Sequence, residues 1–179
     1  MDTNTEKKGL TDVAELRRRA RENVNKGPMT DGYRANREMV IKLLNDALAT
    51  ELVCVLRYRC HYYMAQGINS EPVAMEFLEH SMQELDHADK IALRIVQLGG
   101  QPNLNPDSLS GRSHAEYKEV KGLDAMIREN LIAERIAVDS YREMITYIGN
   151  DDPTTRRMLE DILAVEEEHA EDLSSLLDK

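Results

Sequence analysis

The stretch Glu84-Leu85-Asp86-His87 lies in the middle of a long segment with helical periodicity, and its restatement as Glu166-Glu167-Glu168-His169 decides the fold. Two residues three apart on a helix differ by about 60° around the axis and about 4.5 Å along it. A carboxylate and an imidazole so spaced can reach one metal ion from one face. A single Glu-x-x-His step is a weak signal, because the pair also occurs on solvated helix surfaces. The repetition carries the weight, since each copy is preceded by a lone glutamate on an earlier helix. Glu51 stands 33 residues before Glu84, and Glu134 stands 32 residues before Glu166. A tyrosine follows each lone glutamate at +7, Tyr58 and Tyr141. The half Glu51…Tyr58…Glu84-x-x-His87 thus recurs as Glu134…Tyr141…Glu166-x-x-His169.

Working outward, the periodicity predicts four long helices. The first covers about 33–66, with Val40, Ile41, Leu44, Leu48, Glu51, Val55, Tyr58 and Tyr62 in one stripe, and Gly67 stops it. Ser70 followed by Glu71-Pro72 opens the second, which runs to about 98 through Phe77, Glu84, His87, Ala88, Ile91, Ile95 and Leu98 and ends at Gly99-Gly100. Residues 99–120 are rich in Gly, Pro, Asn and Ser. A connection of that length between long helices implies a top-to-bottom crossover rather than a tight hairpin. The third helix covers about 122–148, with Ile127, Leu131, Glu134, Val138, Tyr141, Ile145 and Ile148, and Gly149-Asn150 closes it. Asp152-Pro153 opens the fourth, a capping Asp with Pro at the first helical position. It runs to about 177 through Leu159, Ile162, Leu163, Glu166, His169, Ala170, Leu173, Leu176 and Leu177.

Length and composition agree with an all-α chain. At 179 residues this is one domain with room for a core, and with one Phe and no Trp that core must be aliphatic, Met and Tyr. A net charge of −10 argues against a generic nucleic-acid binder. Met1-Asp2-Thr3-Asn4-Thr5-Glu6-Lys7-Lys8 has no apolar core, so no signal peptide is expected. No apolar run approaches the roughly 18 residues of a membrane span. A cytoplasmic protein without membrane contact is the expectation. Cys54 and Cys60 fall about 9 Å apart along one helix, beyond disulfide reach. They read as reduced, buried thiols, with a thiol near the metal face at Cys54 as the alternative.

Residues 1–32 form an N-terminal arm ahead of a bundle over 33–179. Thr11 can cap a short amphipathic helix over about 12–24, with Val13, Leu16, Ala20 and Val24 on one face and Arg17, Arg18, Arg19 and Arg21 on the other. Gly27-Pro28 ends it. Residues 1–28 carry seven Lys/Arg and five Asp/Glu. That excess permits a DNA-contacting arm. It is small, however, and a helix docked on a neighbouring subunit or simply solvated is the preferred reading.

Glu51, Glu84, Glu134 and Glu166 each lie in the apolar stripe, near the midpoint of their helix. In a four-helix bundle the four midpoints share one layer. Four ionised carboxylates in a dry layer repel, and each costs several kcal/mol to bury. Two divalent ions neutralise them, with His87 and His169 as nitrogen ligands and some carboxylates bridging. Oxygen-rich ligation with one His per metal suits iron or manganese better than structural zinc. Tyr58 and Tyr141 read as donors that orient carboxylates across the bundle. His80, about 10 Å along the axis from His87, reads as a supporting or channel residue rather than a ligand. His61 and His114 carry no site expectation.

These residues resemble the ferritin-like superfamily, and within it bacterioferritin and Dps-like mini-ferritins. The resemblance rests on Glu51-Leu52…Tyr58, Glu84-x-x-His87-Ala88-Asp89, Gly99-Gly100-Gln101-Pro102-Asn103-Leu104, Glu134…Tyr141 and Glu166-Glu167-x-His169. It implies that Glu51, Glu84, His87, Glu134, Glu166 and His169 are ligands of a di-iron ferroxidase centre, with Mn or Zn as substitutes. Bacterioferritin binds haem through a Met directly after the ligand Glu of its second helix. Leu85 stands there, so no haem is implied by that route. Bacterioferritin also carries a short fifth helix, whereas ten residues follow His169 here. That and the arm look more like Dps-like proteins, and a homo-oligomeric dodecamer is expected over a 24-mer.

The function the resemblance implies is oxidation of Fe(II) by O2 or H2O2 and mineralisation of Fe(III) inside a hollow shell, with a role in oxidative protection. Two competitors stand beside it. One is a di-metal oxygenase or a manganese catalase. A membrane-bound quinone hydroxylase of this ligand type would need an apolar surface, against a mean hydropathy of −0.54. Rubrerythrin would need a Cys-x-x-Cys module, absent here. The other competitor is a shell protein that compacts DNA through the Arg17–Arg21 arm.

Overall fold

The computed structural model describes residues 10–68 and 70–177. Six helices carry the chain: α1 (Val13–Arg19), α2 (Arg37–Met64), α3 (Ser70–Gln97), α4 (Leu109–Arg112), α5 (Leu123–Ile148) and α6 (Pro153–Leu177). Among the described residues there is no strand. The four long helices α2, α3, α5 and α6 are those the periodicity predicts, and they form one bundle. α2 packs with α3 as one hairpin and α5 with α6 as another. Hydrogen bonds tie Tyr58 to Glu134 and Tyr141 to Glu51. Rising numbers on α2 therefore meet falling numbers on α5, and those two helices are antiparallel. The chain must then travel the length of the bundle between α3 and α5, as the expected crossover does. Within it lie a 3-10 turn at Pro106–Ser108 and α4, which rests against α2.

Capping chemistry sets the ends. The Asn36 side chain accepts from Met39 N at 3.2 Å, so α2 begins at Arg37 rather than at 33. It ends at Met64 because Ala65 is already extended, and Gly67 turns the chain beyond the helix instead of stopping it. Ser70 is already helical, and its hydroxyl donates to Gly67 O at 2.8 Å. Asp152 does cap α6, accepting from Thr155 N at 2.9 Å with Pro153 as the first helical residue. Gly149 closes α5 at φ 56, a left-handed position that favours glycine.

The arm differs from its expectation. Asp12, not Thr11, caps α1, and the helix stops at Arg19. Val13, Leu16 and Val24 are exposed, so this face is not docked on the arm's own bundle. Glu15 takes both Arg18 and Arg19, and Arg18 also meets Glu22 at 2.5 Å, so part of the basic face is neutralised within the arm itself. Residues 1–9 of the predicted arm and 178–179 of the predicted bundle lie outside the described residues.

Two apolar clusters fill the bundle, one on each side of a polar middle. The first holds Val40, Leu44, Leu48, Ile91, Ile95, Ile148, Leu159 and Ile162. The second holds Cys54, Tyr58, Phe77, Met126, Ile127 and Leu173. Each such side chain contributes about 1.5–3 kcal/mol by leaving water. α2 is buried more widely than its stripe implies, because the crossover covers it. Arg57 donates to Asn130 Oδ1 and to Glu116 O, both at 3.0 Å, and His61 Nδ1 lies 3.1 Å from the same Asn130 oxygen. Arg94 and Asp152 tie α3 to the α5–α6 turn at 2.9 Å, joined by Thr155 and Tyr33. Both cysteines are free thiols; Cys54 is buried as expected, but Cys60 is only half-buried.

Candidate metal centre

The helix midpoints converge as their sequence positions require. Glu51 comes from α2, Glu84 and His87 from α3, Glu134 from α5, and Glu166 and His169 from α6. All six side chains are at most 2 % exposed. They fall into two overlapping groups whose ligand atoms lie within 4.8 Å of one another: Glu51, Glu84, His87 and Glu166, and Glu84, Glu134, Glu166 and His169. Glu84 and Glu166 belong to both groups. Cys54 belongs to neither; its sulfur takes Arg57 Nη2 at 3.8 Å.

The imidazoles point Nδ1 at the carboxylates. His87 Nδ1 lies 3.0 Å from Glu166, 3.4 Å from Glu51 and 3.7 Å from Glu84. His169 Nδ1 lies 3.6 Å from Glu84, 3.7 Å from Glu166 and 3.9 Å from Glu134. These approaches lack the alignment of hydrogen bonds. Seven buried ligand atoms have no partner among the described residues: Glu51 Oε2, Glu84 Oε1, His87 Nδ1, Glu134 Oε2, both oxygens of Glu166, and His169 Nδ1. Buried polar atoms are nearly always satisfied. Seven orphans of one donor set, all facing inward, fit cations they could ligate.

The remaining atoms are held by neighbours. Tyr58 donates to Glu134 and Tyr141 donates to Glu51, each crossing the bundle to the other half's lone glutamate. Gln83 Oε1 accepts from His169 Nε2 at 2.7 Å, which fixes that ring with Nδ1 inward. Gln83 carries no sequence signal, since its partner is 86 residues away. His80 lies at the outer edge of the layer, with Nδ1 3.2 Å from the Tyr58 hydroxyl and its ring stacked 4.0 Å from that of His169.

Without a cation the layer must hold protons. Burial alone lowers His87, but Glu166, Glu51 and Glu84 override it and push it up to about 12. Burial likewise opposes His169, and Glu134, Glu166 and Glu84 push it up to about 12. Burial and then the Glu84 charge raise Glu51 to about 8. Burial and then Glu51 and Glu134 raise Glu166 to about 7. Burial would raise Glu134 as well, yet His169, Glu166 and Tyr58 hold it at about 2. Displaced protons and ligated cations are alternative ways to neutralise the same groups.

Residues 41–179 match the family model described as a ferritin-like domain. The bacterioferritin of Brucella melitensis is 34% identical over 139 residues, covering 78% of this chain and 83% of its own. A dodecameric thioferritin, the bacterioferritin-related protein of Bacteroides fragilis, superposes with a TM-score of 0.77 at 31% identity, over 80% of this chain and 86% of its own. The bacterioferritin of Rhodobacter capsulatus, solved with its dinuclear site metal-free and with haem iron, gives a TM-score of 0.68 at 28% identity, over 79% and 84%. No helix among the described residues is long and apolar enough to cross a membrane.

Proposed function

The chain belongs to the ferritin-like family, and from that premise we propose that it oxidises Fe(II) in this buried layer and stores the Fe(III) product inside a shell of its own copies. The seven unpartnered ligand atoms carry the reading. Fe(II) is the substrate. Glu51 and His87 hold one ion, Glu134 and His169 hold the other, and Glu84 and Glu166 serve both positions. Tyr58 and Tyr141 keep the lone glutamates turned toward the centre, and Gln83 does the same for His169. Two Fe(II) ions release two electrons. O2 takes them with two protons to give H2O2, or H2O2 takes them with two protons to give two waters. Mn or Zn can occupy the same donors, but zinc cannot complete this electron transfer.

The shell reading is supported by the dodecameric Bacteroides fragilis relative. It also accounts for exposed apolar side chains on the outside of the bundle, among them Leu56, Tyr63, Met64, Leu93 and Ile132. The test is a titration of metal-free protein with Fe(II), in air or with peroxide, followed by sizing chromatography. Iron co-eluting far beyond two per chain is the expected result, at the elution volume of twelve subunits. Saturation at two per chain without a growing core would overturn storage and favour catalysis on another substrate.

A further inference from the structure

The six-residue layer leaves two buried imidazoles outside it, His61 and His80, and of these His80 stacks on the layer's own His169. His80 stands one helical turn before Glu84 on α3 and is 2% exposed. Its Nδ1 faces the Tyr58 hydroxyl at 3.2 Å. That hydroxyl donates its single proton to Glu134, so toward His80 it can only accept, and Nδ1 is the donor. A neutral imidazole then keeps its lone pair on the other nitrogen. Nε2 lies 3.3 Å from Glu76 Oε1 and 3.9 Å from Asp172 Oδ2. Among the described residues only Nδ1 of this ring is hydrogen-bonded. The ring is buried while its Nε2 faces two carboxylates, an arrangement of one nitrogen and two oxygens that a cation among them would satisfy together.

We propose that Glu76, His80 and Asp172 form a third divalent-cation site, standing between solvent and the His169 half of the centre and passing cations to it. The three ligand atoms lie within 4.8 Å of one another. The Glu76 and Asp172 side chains are 34% and 46% exposed, so the site opens outward on its carboxylate side. On its inner side the His80 ring is the partition. It stacks on His169, and a second group of His80, Glu134 and His169 also brings ligand atoms within 4.8 Å. One imidazole therefore belongs to an outer and an inner set of donors.

The chain's own duplication isolates the feature. Aligned on the two Glu-x-x-His pairs, the counterparts of Glu76, His80 and Asp172 are Met158, Ile162 and Lys90. Ile162 is buried in the apolar cluster that also contains Tyr141. Lys90 is a cation itself and pairs with Asp86 at 2.6 Å. The outer site thus exists on one side only, and the Glu51–His87 half abuts aliphatic packing where the Glu134–His169 half has donors. The site stands on these contacts alone, while its role in passage rests on the di-iron reading of the layer.

The test uses the full chain, with Zn(II) and Co(II) as probes. Anomalous diffraction from Zn(II)-loaded crystals is expected to show two ions in the layer and a third about 2.0–2.1 Å from His80 Nε2. The double variant Glu76→Gln/Asp172→Asn changes two partly exposed side chains outside the layer, so the fold is retained. It should lose the third ion and keep the inner two. In stopped flow, the visible Co(II) band of the inner layer should grow about tenfold more slowly in the variant, with unchanged final amplitude. An empty outer site beside a filled layer, or a third ion persisting in the variant, would overturn the site. Equal loading rates would overturn passage. A filled outer site beside an empty layer would instead overturn the di-iron reading and the passage with it, leaving the outer site standing.

Discussion

Loading the centre must drive protons out of it, and their number depends on pH in a way the layer specifies. His87 and His169 are pushed up to about 12, Glu51 to about 8 and Glu166 to about 7. Near pH 6 all four groups therefore carry protons, whereas near pH 9 only the imidazoles do. A cation needs the lone pairs that those protons occupy. Two cations should displace about four protons per chain near pH 6 and about two near pH 9. The product of the two association constants should then rise with pH, by about four orders of magnitude per pH unit near pH 6 and about two near pH 9. Calorimetric titration with Zn(II), which is redox-silent, measures this directly. At each pH the observed heat is plotted against buffer ionisation enthalpy, and the slope is the proton count. A count near zero at both pH values would refute the reasoning, since the cations would then bind elsewhere or the imidazoles would be neutral in the empty layer. A count that stays constant would refute the raised carboxylates alone.

Glu84→Ala and Glu166→Ala should each weaken both cation positions, because both groups share these residues, while Glu51→Ala and Glu134→Ala should each remove one; equilibrium dialysis with Co(II) counts the ions. Asp152→Ala leaves the buried Arg94 without its carboxylate and should cost about 3–5 kcal/mol, or roughly 10 °C in melting temperature. Burial opposes ionisation of Asp152, but the Thr155 hydroxyl and backbone N–H, then Arg94 and Tyr33, hold it below its ordinary value. Its contribution is therefore present above the unfolded carboxylate value near 4 and lost as pH falls through the lower folded value, so the gap between wild type and variant should close there. Gly100→Ala would put a Cβ 2.9 Å from Ile41 Cγ2 and 3.0 Å from Ile95 Cγ2, an overpacking cost of about 1–3 kcal/mol by chemical denaturation. Zn(II) at a hundredfold excess over each dissociation constant should add about 2.7 kcal/mol per position, and a melting temperature that does not move would count against binding to the folded layer.

The four long helices and the six central residues could be read in the sequence because each depends on local spacing. Helical periodicity sets the stripe, and the repeated Glu-x-x-His places both pairs within one turn of their own helices. Asp152-Pro153 and Gly149 marked ends for the same reason, through contacts within three residues. What the sequence hid depends on contacts between distant residues. Gln83 reaches His169 across 86 positions, and Arg57 reaches Asn130 across 73. His61 looked idle off the main stripe, yet it is buried against Asn130 of α5. The arm misled for a different reason. Its amphipathic pattern predicted a helix to about 24, but α1 finds no packing on the described bundle, and isolated helices that short gain little from propensity alone.

On the proposed function, the duplicated half-site also explains why the layer would take two cations rather than one. Glu84 and Glu166 are members of both groups, so the carboxylate protons that a first ion displaces from shared oxygens need not be displaced again by the second. This sharing offsets part of the repulsion between two close cations. Protons balance the layer only while Glu51 and Glu166 are both protonated, because two imidazolium charges offset two of the four carboxylates and leave two in excess. Two divalent ions do balance it, with neutral imidazoles as ligands. The apolar clusters flank the layer, so the charge match between four carboxylates and a pair of divalent ions would be screened less than it is in bulk water. On the proposed function, a layer built this way would favour the doubly loaded state, the one from which an oxidant could take two electrons in a single encounter.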